Sequence, residues 1–284
     1  MGNSKLSDQH IYHLVESYAS DIRTAQILAI NDCKSVNYTI LAKQVDIYDA
    51  DAEEVIFLSD GVCVNEQKAK RDKIAKEGKE RTTTDIMMLQ TSLKDRNTFK
   101  TIIAAEGVNP VDLVQSEVFK AYGKDAQILP IVCISDGALC IKKQNKSIFG
   151  QMVTHILDWY HIQQKVRQLM SQIATNKDLK KECINLILNY LWHGNVINAV
   201  LVLKFMPSKN KVKQEELINY LEKNTDYIIN YELRKATGKI IGSGRTEKQN
   251  DNIVSKRQKR KGMSWSADGS KNLAILTAYH AKAA

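Results

Sequence analysis

Ile128-Leu129-Pro130-Ile131-Val132-Cys133-Ile134-Ser135-Asp136-Gly137 is an apolar run that closes on an acid and a glycine. Seventy-six positions earlier (136 − 60 = 76), a second run, Val55-Ile56-Phe57-Leu58-Ser59-Asp60-Gly61-Val62, ends in the same Ser-Asp-Gly tripeptide. Runs this short, rich in Val and Ile and bounded by turn residues, read as buried strands. Around them, Thr82 to Leu93 and Lys100 to Ala105 read as further strands and Pro110 to Tyr122 as a helix, so the middle of the chain is an α/β sheet. In such a sheet a ligand or catalytic group usually sits at a strand's carboxyl end. Asp60 and Asp136 are therefore the first candidate site residues.

Both flanks are helical. From residue 7 to 45, Ile11, Leu14, Val15 and Tyr18, then Ile22, Ala25, Leu28 and Ala29, keep a three-to-four spacing. After the turn signal Asn31-Asp32, Val36, Ile40 and Leu41 continue it, which predicts a helix-turn-helix-like segment with Ser35 to Lys43 as the reading helix. From His161 to about Arg234 the period is again helical. Ile162, Val166, Leu169, Met170 and Ile173 form one stripe, Cys183, Leu186, Ile187, Tyr190 and Leu191 a second, and Ile197, Val200, Leu201 and Leu203 a third. Past Gly242-Ser243-Gly244 a short basic helix is expected, capped by Ser243 and carrying Glu247, Asp251 and Val254 on one face. A last apolar helix spans Leu273 to Tyr279.

With 284 residues, 43% of them apolar, and only 3 prolines and 13 glycines, the chain has material for a packed core. That composition excludes collagen-like, mucin-like and largely disordered proteins. No apolar run approaches the roughly 18 residues of a membrane span, and Met1-Gly2-Asn3-Ser4-Lys5 leads into polar sequence rather than a signal-peptide core. Leu6 does not suit the myristoylation pattern. A soluble cytoplasmic protein is the expectation. Cysteines 33, 63, 133, 140 and 183 include no Cys-x-x-Cys pair, so neither a disulfide framework nor a zinc knuckle is expected. Cys63, Cys133 and Cys140 lie in apolar runs and read as small core hydrophobes.

The formal charge is +9, and it is concentrated. Between Arg234 and Gly262 stand Arg234, Lys235, Lys239, Arg245, Lys248, Lys256, Arg257, Lys259, Arg260 and Lys261 against Glu247 and Asp251, a local balance of 10 − 2 = +8. A chain near neutrality apart from one dense basic segment is suited to meet a polyanion, because neutralised phosphates release their counterions. Nucleic acid is the first partner to consider. A solvated helix end is the bland alternative.

Three acids then stand out: Asp60 and Asp136 at strand ends, and Glu247 at the start of the basic helix. Their order and setting resemble an RNase H-like nuclease core, with one Asp on the central strand, another on a neighbouring strand and the third acid on a late helix returning to the sheet. Two ionised carboxylates about 4 Å apart repel by roughly 4 kcal/mol at an effective dielectric near 20. Divalent metal relieves that repulsion, and a pair of Mg²⁺ or Mn²⁺ ions can activate a water or 3′-hydroxyl against a phosphodiester.

Four ordered motifs sharpen the likeness: Ser135-Asp136-Gly137-Ala138; Ile156-Leu157-Asp158-Trp159-Tyr160-His161; Ile241-Gly242-Ser243-Gly244-x-x-Glu247; and Arg257-x-x-Arg260-Lys261-Gly262-Met263-x-Trp265-Ser266-x-x-Gly269. Together they resemble the bacterial insertion-sequence transposases of the DDE type, in particular the Mutator-like branch, whose members carry an Asp-x-x-His or Cys-x-x-His element after the second catalytic Asp. The resemblance runs from about residue 55 onward. It implies Asp60, Asp136 and Glu247 as a metal-binding triad, Asp158 and His161 as the accessory element, and two Mg²⁺ or Mn²⁺ ions. His161 would orient substrate rather than ligate zinc. Asp49, Asp51 and Asp85 are the competitors for the first acid's place. Trp159 and Tyr160 read as core, while for Trp265 stacking on a base or sugar and plain packing stand side by side.

These readings converge on an RNase H-like mixed α/β sheet flanked by helices. Residues 1–48 would be the small helical segment, 49–160 the first part of the catalytic core, 161–234 an all-helical insertion domain and 235–284 the last part of the core. The expected activity is metal-dependent cleavage at mobile-element ends and transfer of the 3′ ends to target DNA. Arg245, Lys256, Arg257, Arg260, Lys261 and Trp265 would hold the DNA, with a homodimer or larger assembly joining two ends, near the bacterial nucleoid. The alternatives are a nuclease on the same fold that does not join strands, and a truncated, non-catalytic DNA-binding derivative.

Overall fold

The computed structural model describes residues 7–67 and 80–280. The polar start at Met1 to Lys5, and the readings made from it, lie outside that range. The chain opens with α1 (Asp8–Ser35) and β1 (Leu41–Ala42), then continues through β2 (Val55–Asn65), β3 (Arg81–Gln90), β4 (Phe99–Ile102) and α2 (Pro110–Tyr122). Next come β5 (Ile128–Leu129), β6 (Ile131–Ser135), α3 (Leu139–Phe149) and β7 (Thr154–Leu157). Then α4 (Trp159–Ile173), α5 (Lys177–Trp192), α6 (Val196–Phe205), α7 (Lys211–Lys223) and α8 (Tyr231–Ala236) form a helical block. The chain returns through α9 (Gly244–Asn250), a π-helical turn (Asp251–Ser255), α10 (Lys256–Gln258) and α11 (Ala267–His280).

Five strands make one mixed sheet in the order β4-β3-β2-β6-β7, which puts β2 at its centre. The β4, β3 and β2 pairings are antiparallel, whereas β6 and β7 run parallel to β2. The apolar run Ile128 to Ile134 breaks at Pro130, which has no N–H to give a ladder. Its first two residues pair with β1 in a separate parallel sheet. The Pro130 carbonyl accepts from the Val55 N–H at 2.9 Å and hands the rest of the run to the main sheet.

Both faces of that sheet are covered, as continuous apolar strands require. Val55, Phe57, Ile131 and Cys133 face a core built with α1, α2, α3 and α11. Their alternates Ile56, Leu58, Val132 and Ile134 face a second core built from the helical block. Residues 161–234 thus bury their apolar stripes against the sheet itself. The first stripe is buried along its whole length. In the others Leu186 of α5 and Ile197 and Leu201 of α6 are exposed, and for α6 the reason is that it is apolar nearly all round, so its sequence does not say which side faces in. Four of these helices take an asparagine cap, with Asn176, Asn195, Asn210 and Asn230 each accepting a backbone N–H of its helix's first turn.

The N-terminal reading is corrected. One 28-residue helix runs through Asn31 and Asp32, because Ala29, Ile30 and Cys33 continue its buried face past them. The left-handed residue is Asn37, with φ of 52°, and beyond it the chain runs as loop and β1 rather than as a second helix. No helix-turn-helix is formed by these described residues. Two cysteine readings are corrected too: Cys63 and Cys140 are exposed, and only Cys133 of the three is in the core. Among the described residues, no helix is long and apolar enough to cross a membrane.

A buried charge network ties the helical block to the start of β2. Arg234 donates through Nη1 and Nη2 to both oxygens of Glu54, at 3.0 and 2.8 Å, and the Lys239 ammonium lies 3.5 Å from Glu54. The Arg234 and Lys239 side chains have no solvent exposure. Two of the ten basic residues counted toward a polyanion surface therefore serve the interior.

Candidate functional site

Parallel pairing of β2 with β6 ends at Leu58↔Ile134. Two residues further along, Asp60 stands within β2 on the face of Leu58, by alternation, and Asp136 stands just past the end of β6, close enough for its charge to act on Asp60. The repeated tripeptide nevertheless has two structures. At Gly137 φ is +85°, and a Cβ would stand 2.5 Å from Leu157 Cδ1, so the chain can turn there only as glycine. Asp136 Oδ1 accepts from the Ala138 N–H at 2.8 Å and closes that turn. Asp60-Gly61 is no turn. β2 continues through it to Asn65, paired with β3, so Asp60 lies within the central strand rather than at its end. Burial pushes the Asp60 carboxyl above its ordinary range, and the Asp136 charge pushes in the same direction.

The third acid arrives from the far end of the chain. The loop before α9 is held by Asp158, which is fully buried at the N-terminus of α4. Asp158 Oδ1 accepts from the Tyr160 N–H at 2.7 Å, and Oδ2 accepts from the Ser243 N–H at 3.0 Å and from the Ser243 hydroxyl. Ser243 therefore does not cap α9, since its hydroxyl is spent on Asp158. The approach is close enough that a Cβ on Gly242 would stand 2.6 Å from the Tyr160 ring. So anchored, α9 crosses β2 and β3 and presents Glu247, half exposed.

His161 joins the two parts. Its Nδ1 lies 3.2 Å from Asp158 Oδ2 and 3.9 Å from Glu247 Oε1. The Asp158 bond raises the His161 pKa against the opposing effect of burial, and the charges of Asp158, Asp136 and Asp60 add to the rise. Burial works against an ionised Asp158, but the bonds from His161, Ser243 and Tyr160 outweigh it and hold that carboxyl below the usual range.

Ligand atoms of Asp158, His161 and Glu247 lie within 4.8 Å of one another. Asp158 is a poor metal ligand even so, because its Oδ2 already meets three polar partners and the residue sees no solvent. The open part of the site is a cleft of about 570 Å³ lined by Asp60, Tyr160, Glu247, Asn250, Asp251 and Lys259, among others. Mg²⁺ and Mn²⁺ prefer oxygen donors and retain several waters, and this oxygen-rich, water-accessible wall suits them.

The basic candidates are placed unevenly. Arg245 Nη2 donates to Asn97 Oδ1 at 2.7 Å, and its guanidinium stacks 5.0 Å from the Phe99 ring centroid. Lys256 donates to Asn252 Oδ1 at 2.6 Å and Arg257 to the Asn252 carbonyl, while Arg260 Nε donates to the Lys256 carbonyl at 3.1 Å. All of these residues and Lys261 are exposed. Trp265 packs against the first core and donates its indole N–H to the Gln258 carbonyl at 3.0 Å, the packing arm of the two readings. Tyr160, read as core, is exposed at the cleft because it comes after the buried Trp159 around the first turn of α4.

Sequence reasoning missed three residues. Lys259 lines the cleft. Lys142 is buried with its ammonium 2.8 Å from Asn224 Oδ1 and 3.6 Å from the Tyr227 ring centroid, and the Asp136 charge acts on it. Asn250 donates to Asp60 Oδ2 at 2.6 Å. Asn250 carried a signal, since it stands three residues after Glu247 on the same helix. Lys142 carried none.

The sheet, every helix after α1 and every acid of the site fall inside residues 29–283, which match the uncharacterised protein family UPF0236. The chain belongs to UPF0236. No curated protein and no solved structure matches this UPF0236 member.

Proposed function

We propose that this UPF0236 member is a DDE-type DNA transposase on an RNase H-like core. It would cut DNA at the ends of its own mobile element and join the exposed 3′ ends to target DNA. One observation carries the reading: Asp60 and Glu247 line one cleft, the charge of Asp136 from just past the end of β6 acts on Asp60, and His161, which feels both aspartates, lies 3.9 Å from Glu247, although 111 residues separate Asp136 from Glu247 (247 − 136 = 111). That is the arrangement the RNase H-like reading requires of its three acids.

Asp60, Asp136 and Glu247 would hold Mg²⁺ or Mn²⁺, which when bound supplies an activated oxygen nucleophile and stabilises the leaving oxygen of the phosphodiester. The remaining groups position the DNA and the acids. Asp158 fixes the α4–α9 junction, so that Glu247 is delivered to the strands with little freedom. His161 is held at Nδ1 by Asp158, and that bond with the nearby carboxylates favours its protonated form, which suits it to orient a phosphate. Lys259 in the cleft and the exposed Lys256, Arg257, Arg260 and Lys261 would take the flanking phosphates without reading sequence. Joining two element ends calls for at least two copies of the chain.

The test is a strand-transfer assay with pre-nicked duplexes made from the DNA flanking the reading frame, in Mg²⁺ or Mn²⁺. The expected result is joined product from the natural chain and none from Asp136→Asn. Cleavage without joining would favour the nuclease reading. DNA binding with neither activity would leave only a binding protein.

A further inference from the structure

Asn250 ends α9 where the helix widens into the π-helical turn Asp251–Ser255, a local irregularity that recurs at functional sites. It is 8% exposed, yet it lines the cleft together with Asp60, Glu247 and Asp251. Its two amide atoms have different fates. Nδ2 donates to Asp60 Oδ2 at 2.6 Å, whereas Oδ1 is buried with no hydrogen-bond partner. With Asp60 ionised, as a cation at the site would hold it, this orientation is the favoured one, because the flipped amide would set its oxygen against a carboxylate oxygen, two acceptors with no proton between them. A buried acceptor lacking a donor is costly and calls for an explanation in water, an ion or function. Here it belongs to a residue that lines the same cleft as Asp60, Glu247 and Asp251, and Asp60 already feels the charge of Asp136.

We propose that the Asn250 Oδ1 oxygen is a further ligand of the divalent cation held by Asp60 and Glu247. The same amide would set Asp60 through its N–H and bind the ion through its carbonyl. A neutral oxygen adds a contact without adding repulsion, and amide carbonyls serve hard cations in this way. The inference rests on the cation-binding part of the proposed function and assigns that site a ligand the motif reading did not contain.

The experiment is a Mn²⁺ titration of the full-length chain monitored by electron paramagnetic resonance, comparing the natural protein with Asn250→Asp, Asn250→Leu and Asn250→Ala. Circular dichroism confirms that each variant is folded, and the alanine variant serves if leucine does not fold. Leucine or alanine is expected to weaken Mn²⁺ binding by about tenfold or more. Aspartate, which restores a ligand oxygen but not the N–H, should hold affinity within about threefold of the natural protein or tighten it. If aspartate loses as much as leucine, Asn250 only orients Asp60 and the proposal fails. If leucine and alanine bind like the natural protein, it fails as well. If the natural protein itself takes up no Mn²⁺, the cation reading of the whole site falls and this inference with it.

Discussion

His155 shows how one side chain exposes the energetics of the sheet's edge. It lies on β7 with Nε2 buried and unpartnered, its ring edge-on to Tyr227 at 6.0 Å between centroids. Burial, helped by the charges of Lys146 and Lys142, pushes its pKa from 6.5 down to about 4. Below pH 6.5 the unfolded chain binds a proton that the folded chain refuses until about pH 4, so stability present above 6.5 is lost as the pH falls through that window. The loss should approach about 3 kcal/mol. Urea unfolding at a series of pH values checks this, and His155→Leu should flatten the dependence. Among single residues, the acids were legible from their Ser-Asp-Gly and Ser-Gly-x-x-Glu settings. The packing of His155 against Tyr227, the Lys142–Asn224 bond and the Asp60–Asn250 bond were not, because each depends on a residue many tens of positions away.

Elements were legible where periodicity and capping agreed. Asn109, Pro110 and Gly123 bracket α2 at the predicted ends, since Asn109 caps it and Gly123 takes φ of +85° just past it. Legibility failed where tertiary packing overrode a local turn signal, as in α1 at Asn31-Asp32 and in β2 at Asp60-Gly61. The junction of α4 with α9 is the feature among the elements that matters for chemistry, and Gly242 permits it. A Cβ there would meet Tyr160 at 2.6 Å and Asp158 Oδ1 at 2.9 Å. Gly242→Ala should therefore push α9 off α4 and carry Glu247 away from Asp60. Mn²⁺ affinity is expected to fall by at least tenfold, about 1.4 kcal/mol, with the far-ultraviolet dichroism unchanged. Unaltered binding would show that Glu247's position does not depend on this contact.

Across the molecule, two helical layers share one sheet, and the Glu54–Arg234–Lys239 network joins the far end of the helical block to the strand that carries Asp60. Arg234→Met should cost about 3–5 kcal/mol by urea unfolding, because it strips Glu54 of its bidentate partner in the interior. Pairing it with Glu54→Leu should recover part of that loss. The same network explains why charge counting overstated the polyanion surface: a basic run in sequence does not separate a buried Arg from an exposed one. The proposed chemistry stands or falls with Asp60, Asp136 and Glu247 forming one cation site over the middle of the sheet. Anomalous diffraction from crystals soaked in Mn²⁺ would locate that ion. A peak is expected within about 2.0–2.2 Å of oxygens from both Asp60 and Asp136, on the Glu247 side of the cleft. A peak held by Asp158 and His161 without either aspartate, or none at saturating Mn²⁺, would refute the shared site.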